Sequence, residues 1–259
     1  MYPEISSNPV KASLFVTCLI DQLHPEVGES VVSVLRKLGV AVSFPSGQTC
    51  CGQPAFNSGF WNEAKVLAKR FLKIFRRNEY IVVPSGSCAS MLRVFYSELF
   101  HDEPKQLKEI EELSSRVYEF SEFIVDVLKI KDLSPYVKNI NTTKKYTVTY
   151  HEACHLRREL GVLTQPRTLI KSLPSVQLIE LDQSEVCCGF GGAFSIKYPE
   201  ISAAMLQDKI DRIQQIGADA VIANDISCLI QMSGGLKKQG LKQRSIHIAQ
   251  LCNEVMSSN

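Results

Sequence analysis

The nine cysteines of this 259-residue chain follow one pattern that occurs twice, with a single residue left over. Each copy has a lone cysteine, then a Cys-Cys-Gly motif, then a last cysteine. The first gap holds 31 residues in one copy and 32 in the other, and the second gap holds 36 and 39. The two sets are Cys18, Cys50, Cys51 and Cys88, and Cys154, Cys187, Cys188 and Cys228. Because equivalent cysteines lie 136 to 140 residues apart, we expect two similar halves, each with a quartet of thiols that acts as a unit.

Strand-like and helix-like segments follow the same order in both halves. The predicted strands are residues 12–17, 40–44 and 80–83 in the first half and 146–150 and 220–223 in the second. The predicted helices include residues 31–38 and 62–75 in the first half and 201–216 in the second. Strands that alternate with helices predict an α/β protein. We therefore expect two Rossmann-like lobes with mostly parallel sheets, related by internal duplication.

The repeat also suggests domain boundaries. We expect a first cysteine-rich domain at residues 1–130, a linker at 131–145 and a second cysteine-rich domain at 146–259. Residues 104–127 are rich in charge and predict a helical insertion that has no counterpart in the second half. Residues 246–255 predict a closing helix.

Charge and hydropathy narrow the function classes. The 29 basic and 27 acidic residues leave a net charge of +2, which gives no electrostatic reason to expect nucleic acid or an anionic membrane as partner. No apolar run of 18 residues predicts a membrane span, and the N-terminus lacks the pattern of a secretory signal. We therefore expect a cytoplasmic protein with reduced thiols, which disfavours a disulfide framework.

The cysteines fall at strand ends or in the turns that follow them, and such loops meet at one edge of a parallel sheet. Four thiolates per set suit an iron–sulfur cluster or a structural zinc ion. Zinc sites commonly use a Cys-x2–4-Cys pair, which neither half has, so the spacing favours iron–sulfur, with zinc and reduced core cysteines as alternatives. Glycines beside the cysteines predict a close approach of the backbone to such a centre, with N–H groups aimed at its sulfides: Gly52, Gly189, Gly191 and Gly192.

Two histidines flank the lone cysteine of the second copy. His151 and His155 lie on either side of Cys154. They are candidates for a ligand or a proton relay, and the alternative is a polar pair that lines the pocket.

The doubled pattern resembles the CCG-type cysteine-rich domain. This domain occurs in heterodisulfide reductases and in iron–sulfur subunits of glycolate, glycerol-3-phosphate and lactate oxidising systems. A closer likeness, to the lactate utilization protein A family, runs through residues 14–18, 50–55, 84–88 and 187–192. The resemblance implies an iron–sulfur electron-transfer subunit with one [4Fe-4S] cluster per half, held by the eight paired cysteines.

The same resemblance implies a complex that oxidises L-lactate to pyruvate, with partner subunits that include a ferredoxin-like iron–sulfur protein. The chain is then a component of an oxidoreductase rather than a whole enzyme. Two alternatives stay open: a thiol–disulfide reductase like heterodisulfide reductase, and a zinc-stabilised scaffold subunit.

The sequence departs from the wider family at one position in each half. The family usually ends each motif in Cys-x-x-Cys, and here the earlier cysteine is replaced by Ser85 in the first half and Asp225 in the second. A cluster that needs five thiolates therefore lacks a ligand, whereas a cubane cluster keeps four. Ser85 and Asp225 are predicted either as oxygen ligands beside the cluster or as a turn residue and a helix cap.

Overall fold

The computed structural model describes residues 9–138 and 145–257, and strands alternate with helices in both ranges. The strands are β1 (Lys11–Leu14), β2 (Ala41–Ser43), β3 (Tyr80–Val83), β4 (Val117–Glu119), β5 (Tyr146–Tyr150), β6 (Val176–Leu178), β7 (Ala220–Ala223) and β8 (Arg244–His247). The helices are α1 (Cys18–Leu23), α2 (Pro25–Lys37), α3 (Gln53–Asn57), α4 (Trp61–Phe75), α5 (Gly86–Ser90), α6 (Tyr96–Leu99), α7 (Pro104–Ser114), α8 (Phe120–Glu122), α9 (Cys154–Arg158), α10 (Gln165–Ser172), α11 (Ala193–Lys197), α12 (Pro199–Ile216), α13 (Ile226–Lys238) and α14 (Ile248–Ser257). The chain also has π-helical segments at Met91–Phe95 and Phe123–Val127 and a 3₁₀ turn at Ser134–Tyr136.

The strands form two four-stranded sheets, one in residues 9–138 (the first lobe) and one in residues 145–257 (the second lobe). Their strand orders are β2-β1-β3-β4 and β6-β5-β7-β8, and the strand pairs are parallel in both. Parallel neighbours need a crossover connection, which the intervening helices supply. The expected fold class, α/β with two similar lobes and parallel sheets, is confirmed.

The long helices follow the predicted apolar pattern closely. In α4 the buried residues recur every three or four positions and face the sheet: Ala64, Ala68, Phe71, Leu72 and Phe75. Its counterpart α12 ends at Gly217, whose φ of 66° closes the helix in the left-handed region. The predicted helices at 62–75 and 201–216 therefore lie within two residues of the observed ones.

The predicted helical insertion at residues 104–127 is wrong in part. Only α7 is extra, because β4 pairs with β3 as the fourth strand of the first sheet and corresponds to β8 of the second. Each of these strands leads directly into a helix, α8 or α14. A strand of three residues, Val117–Glu119, is too short to show a period of two inside a charged segment.

The predicted linker at residues 131–145 is described only in part, because residues 139–144 lie outside the described residues. Within the described part, Leu133 and Val137 are buried in a core cluster that draws residues from both lobes. The described part of this segment therefore packs into the core.

The two lobes share that core. Helix α14 of the second lobe packs against α2 of the first, and Ser33 Oγ donates a hydrogen bond to Asn253 Oδ1 across the contact at 2.7 Å. Helix α5 of the first lobe also packs against α9 of the second. The carboxyl ends of the two sheets are thereby held against each other.

Polar groups at the ends of the fourth strands also join the lobes. Glu119 and His247 occupy equivalent places, beside Val83 and Ala223 respectively. Asn224 Nδ2 donates to Glu119 Oε1 at 2.8 Å, while His247 Nε2 donates to the Pro84 carbonyl oxygen at 3.1 Å. Each fourth strand thus reaches the turn that follows the third strand of the other lobe.

Among the helices of the described residues, none combines the length and the apolar character that crossing a lipid bilayer requires.

Candidate metal centre

Each of the eight paired cysteines lies after a strand, either in a loop or near the start of a helix. Cys18 and Cys154 are the first residues of α1 and α9, a few residues after β1 and β5. Cys88 and Cys228 lie in the first turn of α5 and α13, after the central strands β3 and β7. The vicinal pairs lie in the loops before α3 and α11. Parallel strands bring all of these ends to the same edge of each sheet.

The first quartet is closely packed. Cys18 Sγ lies 3.7 Å from Cys50 Sγ, and Cys51 Sγ lies 3.4 Å from Cys88 Sγ. The backbone N–H of Gly52 donates to Cys50 Sγ at 3.4 Å, which requires the positive φ of 88° at this glycine. The sulfur atoms therefore lie within reach of a common guest.

The second quartet repeats this arrangement. The N–H of Gly189 donates to Cys187 Sγ at 3.4 Å with a φ of 85°. A Cβ atom at this position would meet the Ser202 carbonyl oxygen at 2.5 Å, so the loop also needs a glycine to pack against α12. Cys188 Sγ and Cys228 Sγ lie within 4.8 Å of each other and of a ring nitrogen of His151.

Both quartets open into one cavity between the lobes, with a volume of about 240 Å³. Its lining includes all eight paired cysteines, together with Ser85, Asp225, Gly191 and Gly192. The sequence predicted one quartet per half, and the structure brings the two quartets together on one cavity. Gly52 and Gly189 direct their N–H groups at cysteine sulfurs, which refines the prediction that they face sulfides of a cluster.

Within each quartet the thiol groups lie close enough to hydrogen-bond to one another. Hydrogen bonds from the neighbouring thiols and the Gly52 amide lower the pKa of Cys50, and the corresponding groups lower the pKa of Cys187. The Cys188 thiol, with a smaller contribution from His151, lowers the pKa of Cys228 to about 6. Each quartet thus favours thiolate at defined atoms, and thiolate is the form that binds metal.

Ser85 and Asp225 contact each other across the lobe junction. Ser85 Oγ and Ser87 Oγ each donate to Asp225 Oδ1 at 2.7 Å, and the Ser87 N–H donates to Asp225 Oδ2 at 2.9 Å. Ser85 is the N-cap of α5 and accepts from the Cys88 N–H at 3.3 Å. Asp225 therefore caps a helix of the opposite lobe, which sequence reasoning missed because the contact spans 140 residues. A role for either residue as an oxygen ligand stays a prediction.

The two histidines of the second lobe have separate environments. His151 is buried beside the quartet, whereas His155 lies at the cavity wall, half-buried, with Nδ1 3.1 Å from Glu159 Oε2. A ligand or proton-relay role for either histidine, or the alternative of a polar pair that lines the pocket, stays a prediction.

Comparisons with known proteins place this geometry in a family. The CCG family of cysteine-rich domains matches residues 12–93 and 148–233, one copy in each lobe. A crystal structure of a hypothetical protein from Helicobacter pylori matches 98% of this chain with a TM-score of 0.63 and 12% identity, and the chain spans 50% of that longer protein. At this identity the likeness shows the fold alone.

Sequence relatives cover nearly the whole chain. It is 42% identical over 244 residues to lactate utilization protein A of Geobacillus kaustophilus (strain HTA426), with 94% of this chain and 99% of that protein aligned. It is 40% identical over 244 residues to the protein of the same name from Bacillus subtilis (strain 168), with the same coverage. The chain therefore belongs to the lactate utilization protein A family and carries the CCG cysteine-rich domain twice.

Proposed function

We propose that this chain is an iron–sulfur electron-transfer subunit of a cytoplasmic complex that oxidises L-lactate to pyruvate. The observation that carries the proposal is the convergence of two cysteine quartets on one cavity. The substrate comes from the names of the relatives, and the redox role comes from the donor set.

The residues present fit iron–sulfur clusters, one [4Fe-4S] cluster for each quartet. All nine cysteines are free thiols, and eight of them line the cavity in two groups of four. Thiolate sulfur is the usual ligand of such clusters. A cluster held by each quartet would supply one-electron redox chemistry, which requires no covalent bond to a substrate.

The protein would hold each cluster in place and shield it from water. Cys51 and Cys188 are 2% and 1% exposed, which keeps water from one side of each quartet. The Gly52 and Gly189 amides stabilise negative charge on sulfur, and Asp225 ties α5 to the loop before α13. With two sites on one cavity, electrons would have a short path between the lobes.

The partners would be the other subunits of the lactate-oxidising complex, including a ferredoxin-like iron–sulfur protein. We also propose that each lobe forms one CCG domain, with a linker at residues 131–145. The order of elements in each sheet supports this division.

The test is a metal and sulfide count on protein purified without oxygen. We expect about four iron and about four sulfide ions per quartet, and a broad visible absorption band. Cys51→Ser and Cys188→Ser should each lose one cluster and leave the other. Stoichiometric zinc in colourless protein would instead support the scaffold alternative and overturn the redox role.

A growth test addresses the substrate. A strain that lacks the gene should fail to grow on L-lactate as carbon source, and the wild-type gene should restore growth, whereas the Cys51→Ser gene should not. Normal growth of the deletion strain on lactate would overturn the substrate assignment and leave the cluster assignment intact.

A further inference from the structure

The two quartets have different neighbours at equivalent positions. Phe15 and His151 follow the first strand of each sheet and make the same backbone contact: the N–H of Phe15 donates to Val82 O and that of His151 to Ile222 O, both at 2.9 Å. Because the strand registers match, the two side chains occupy the same place behind their quartets.

A second pair of equivalent positions also has an aromatic residue in the first lobe and a polar residue in the second. Ala64 of α4 and Ser202 of α12 lie against the glycine of their Cys-Cys-Gly motif, and seven residues later come Phe71 and Lys209. Both side chains point inward, with 4% exposure for Phe71 and 1% for Lys209. An aromatic ring of the first lobe is therefore replaced by a buried cation in the second.

In the first lobe these positions form an uncharged aromatic cluster. The rings of Phe15 and Phe71 meet edge to face with centroids 5.6 Å apart, and Tyr96 packs on Phe71 at 5.8 Å. Cys51 belongs to the same apolar cluster. Carbon atoms therefore pack behind the first quartet.

In the second lobe the corresponding groups are polar. His151 is 1% exposed, and within residues 9–138 and 145–257 neither of its ring nitrogens has a hydrogen-bond partner. One of them lies within 4.8 Å of Cys188 Sγ and Cys228 Sγ. A buried imidazole without a partner is costly, so its position beside two sulfurs points to a function there.

Lys209 holds the loop that carries the second vicinal pair. Its Nζ donates to the carbonyl oxygens of Gln183 at 2.9 Å and Ser184 at 3.3 Å. Burial lowers the pKa of Lys209 to about 8, while the nearby Cys188 opposes that change. The group therefore stays mostly protonated at neutral pH, and Glu185, an acidic side chain of that loop, is exposed.

We propose that His151 donates a hydrogen bond to a ligand sulfur of the second quartet and that His151 and Lys209 together set the reduction potential of the second cluster above that of the first. The inference rests on the proposed iron–sulfur function. Hydrogen bonds to sulfur and nearby positive charge stabilise the reduced, more negative form. The first electron added to the protein therefore resides in the second lobe.

A redox titration followed by electron paramagnetic resonance tests this ordering on the full-length, cluster-loaded protein under anaerobic conditions. We expect two reduction steps in the wild type. Cys188→Ser, which lacks a ligand of the second quartet, should keep only the step of lower potential. Survival of the higher step in this variant would overturn the ordering.

The side-chain variants test the cause. His151→Phe copies the first lobe and should lower the ratio of reduced to oxidised second cluster at least tenfold at fixed potential, a shift of 59 mV for one electron. His151→Gln keeps an N–H donor and should recover most of that ratio. Lys209→Met should shift the same step in the same direction, whereas the exposed Lys197→Met should not.

These outcomes separate the inference from the proposed function. A wild type that binds no iron would overturn the proposed function. Full iron content with both steps unchanged in His151→Phe and Lys209→Met would overturn the inference alone. Should His151→Phe lose its second cluster, Lys209→Met still decides, because it leaves the ring in place.

Discussion

The two lobes place four sulfurs in the same way and support them differently. The ligand positions depend on strand ends and on glycines with positive φ, which both lobes have at Gly52 and Gly189. The side chains behind the sulfurs need only fill the available core volume and satisfy their own polar groups. The first lobe can therefore have Phe71 where the second has Lys209. Duplication thus keeps the backbone that presents ligands and lets the surrounding chemistry diverge.

Equivalent positions at the junction have become complementary. Ser85 and Asp225 precede the last cysteine of each quartet by three residues, and here one donates to the other. A pair of identical residues could not do this as well, since two carboxylates would repel each other. The junction therefore requires two lobes that differ.

The largest effect should follow from breaking this asymmetric contact. Asp225→Ala leaves Ser85 Oγ, Ser87 Oγ and the Ser87 N–H without their acceptor in a buried junction where Asp225 is 2% exposed. We expect a loss of about 3 kcal/mol in the free energy of unfolding, measured by anaerobic urea denaturation.

The exposed Asp182, which pairs with Arg212 at the surface, provides the control. Asp182→Ala should cost less than about 0.5 kcal/mol. Equal losses in the two variants would mean that the junction contact contributes nothing special.

A slightly smaller effect should separate the two Cys-Cys-Gly loops. Gly189→Ala places a Cβ 2.5 Å from a backbone oxygen, whereas the nearest atom to a Cβ at Gly52 is Leu67 Cδ1 at 3.5 Å. Both changes strain a positive φ at about 1 kcal/mol, and the backbone overlap adds to the first. We expect Gly189→Ala to lose about 2.5 kcal/mol and Gly52→Ala about 1 kcal/mol in urea unfolding. A larger loss in Gly52→Ala would contradict the difference in packing.

The sequence predicted the parts of the site that depend on local order. Spacing alone grouped the eight cysteines, and strand patterns located the ends that carry Cys18 and Cys154, because parallel sheets bring such ends together. The sequence did not predict the contact between Ser85 and Asp225, because that contact depends on how the two lobes pack together. Lys209 was equally hidden, because a lysine on an amphipathic helix normally faces water.

A third effect comes from the equivalent pair Glu119 and His247. Burial raises the pKa of Glu119 to about 7 from 4.5 and lowers that of His247 to about 4 from 6.5. Between pH 4.5 and 6.5 folded Glu119 holds a proton that the unfolded chain releases, so its contribution to stability falls as the pH rises. Folded His247 is neutral while the unfolded chain is protonated, so its contribution rises with pH.

The two slopes oppose each other, and removing one residue should reveal the other. Relative to the wild type, Glu119→Gln should make stability rise by about 1.4 kcal/mol per pH unit in this window, and His247→Gln should make it fall by as much. Urea denaturation at several pH values between these limits measures both slopes. Parallel pH profiles for the wild type and both variants would show that neither group titrates as its burial implies.

The smallest expected effect concerns a hydrogen bond beside the first quartet whose donor is replaced by an apolar residue in the second lobe. Tyr96 OH donates to the Cys51 carbonyl oxygen at 2.8 Å, and the residue equivalent to Tyr96 relative to the last cysteine is the apolar Leu236. Tyr96→Phe removes this hydrogen bond and should cost about 1 kcal/mol in urea unfolding. Tyr198→Phe, at an exposed tyrosine, should cost nothing measurable.

Because the lost bond lies in the loop of the first vicinal pair, Tyr96→Phe should also speed the loss of the cluster from the first quartet in air. The decrease in visible absorption measures this rate. Equal rates of loss in both tyrosine variants would mean that the first quartet does not depend on this hydrogen bond.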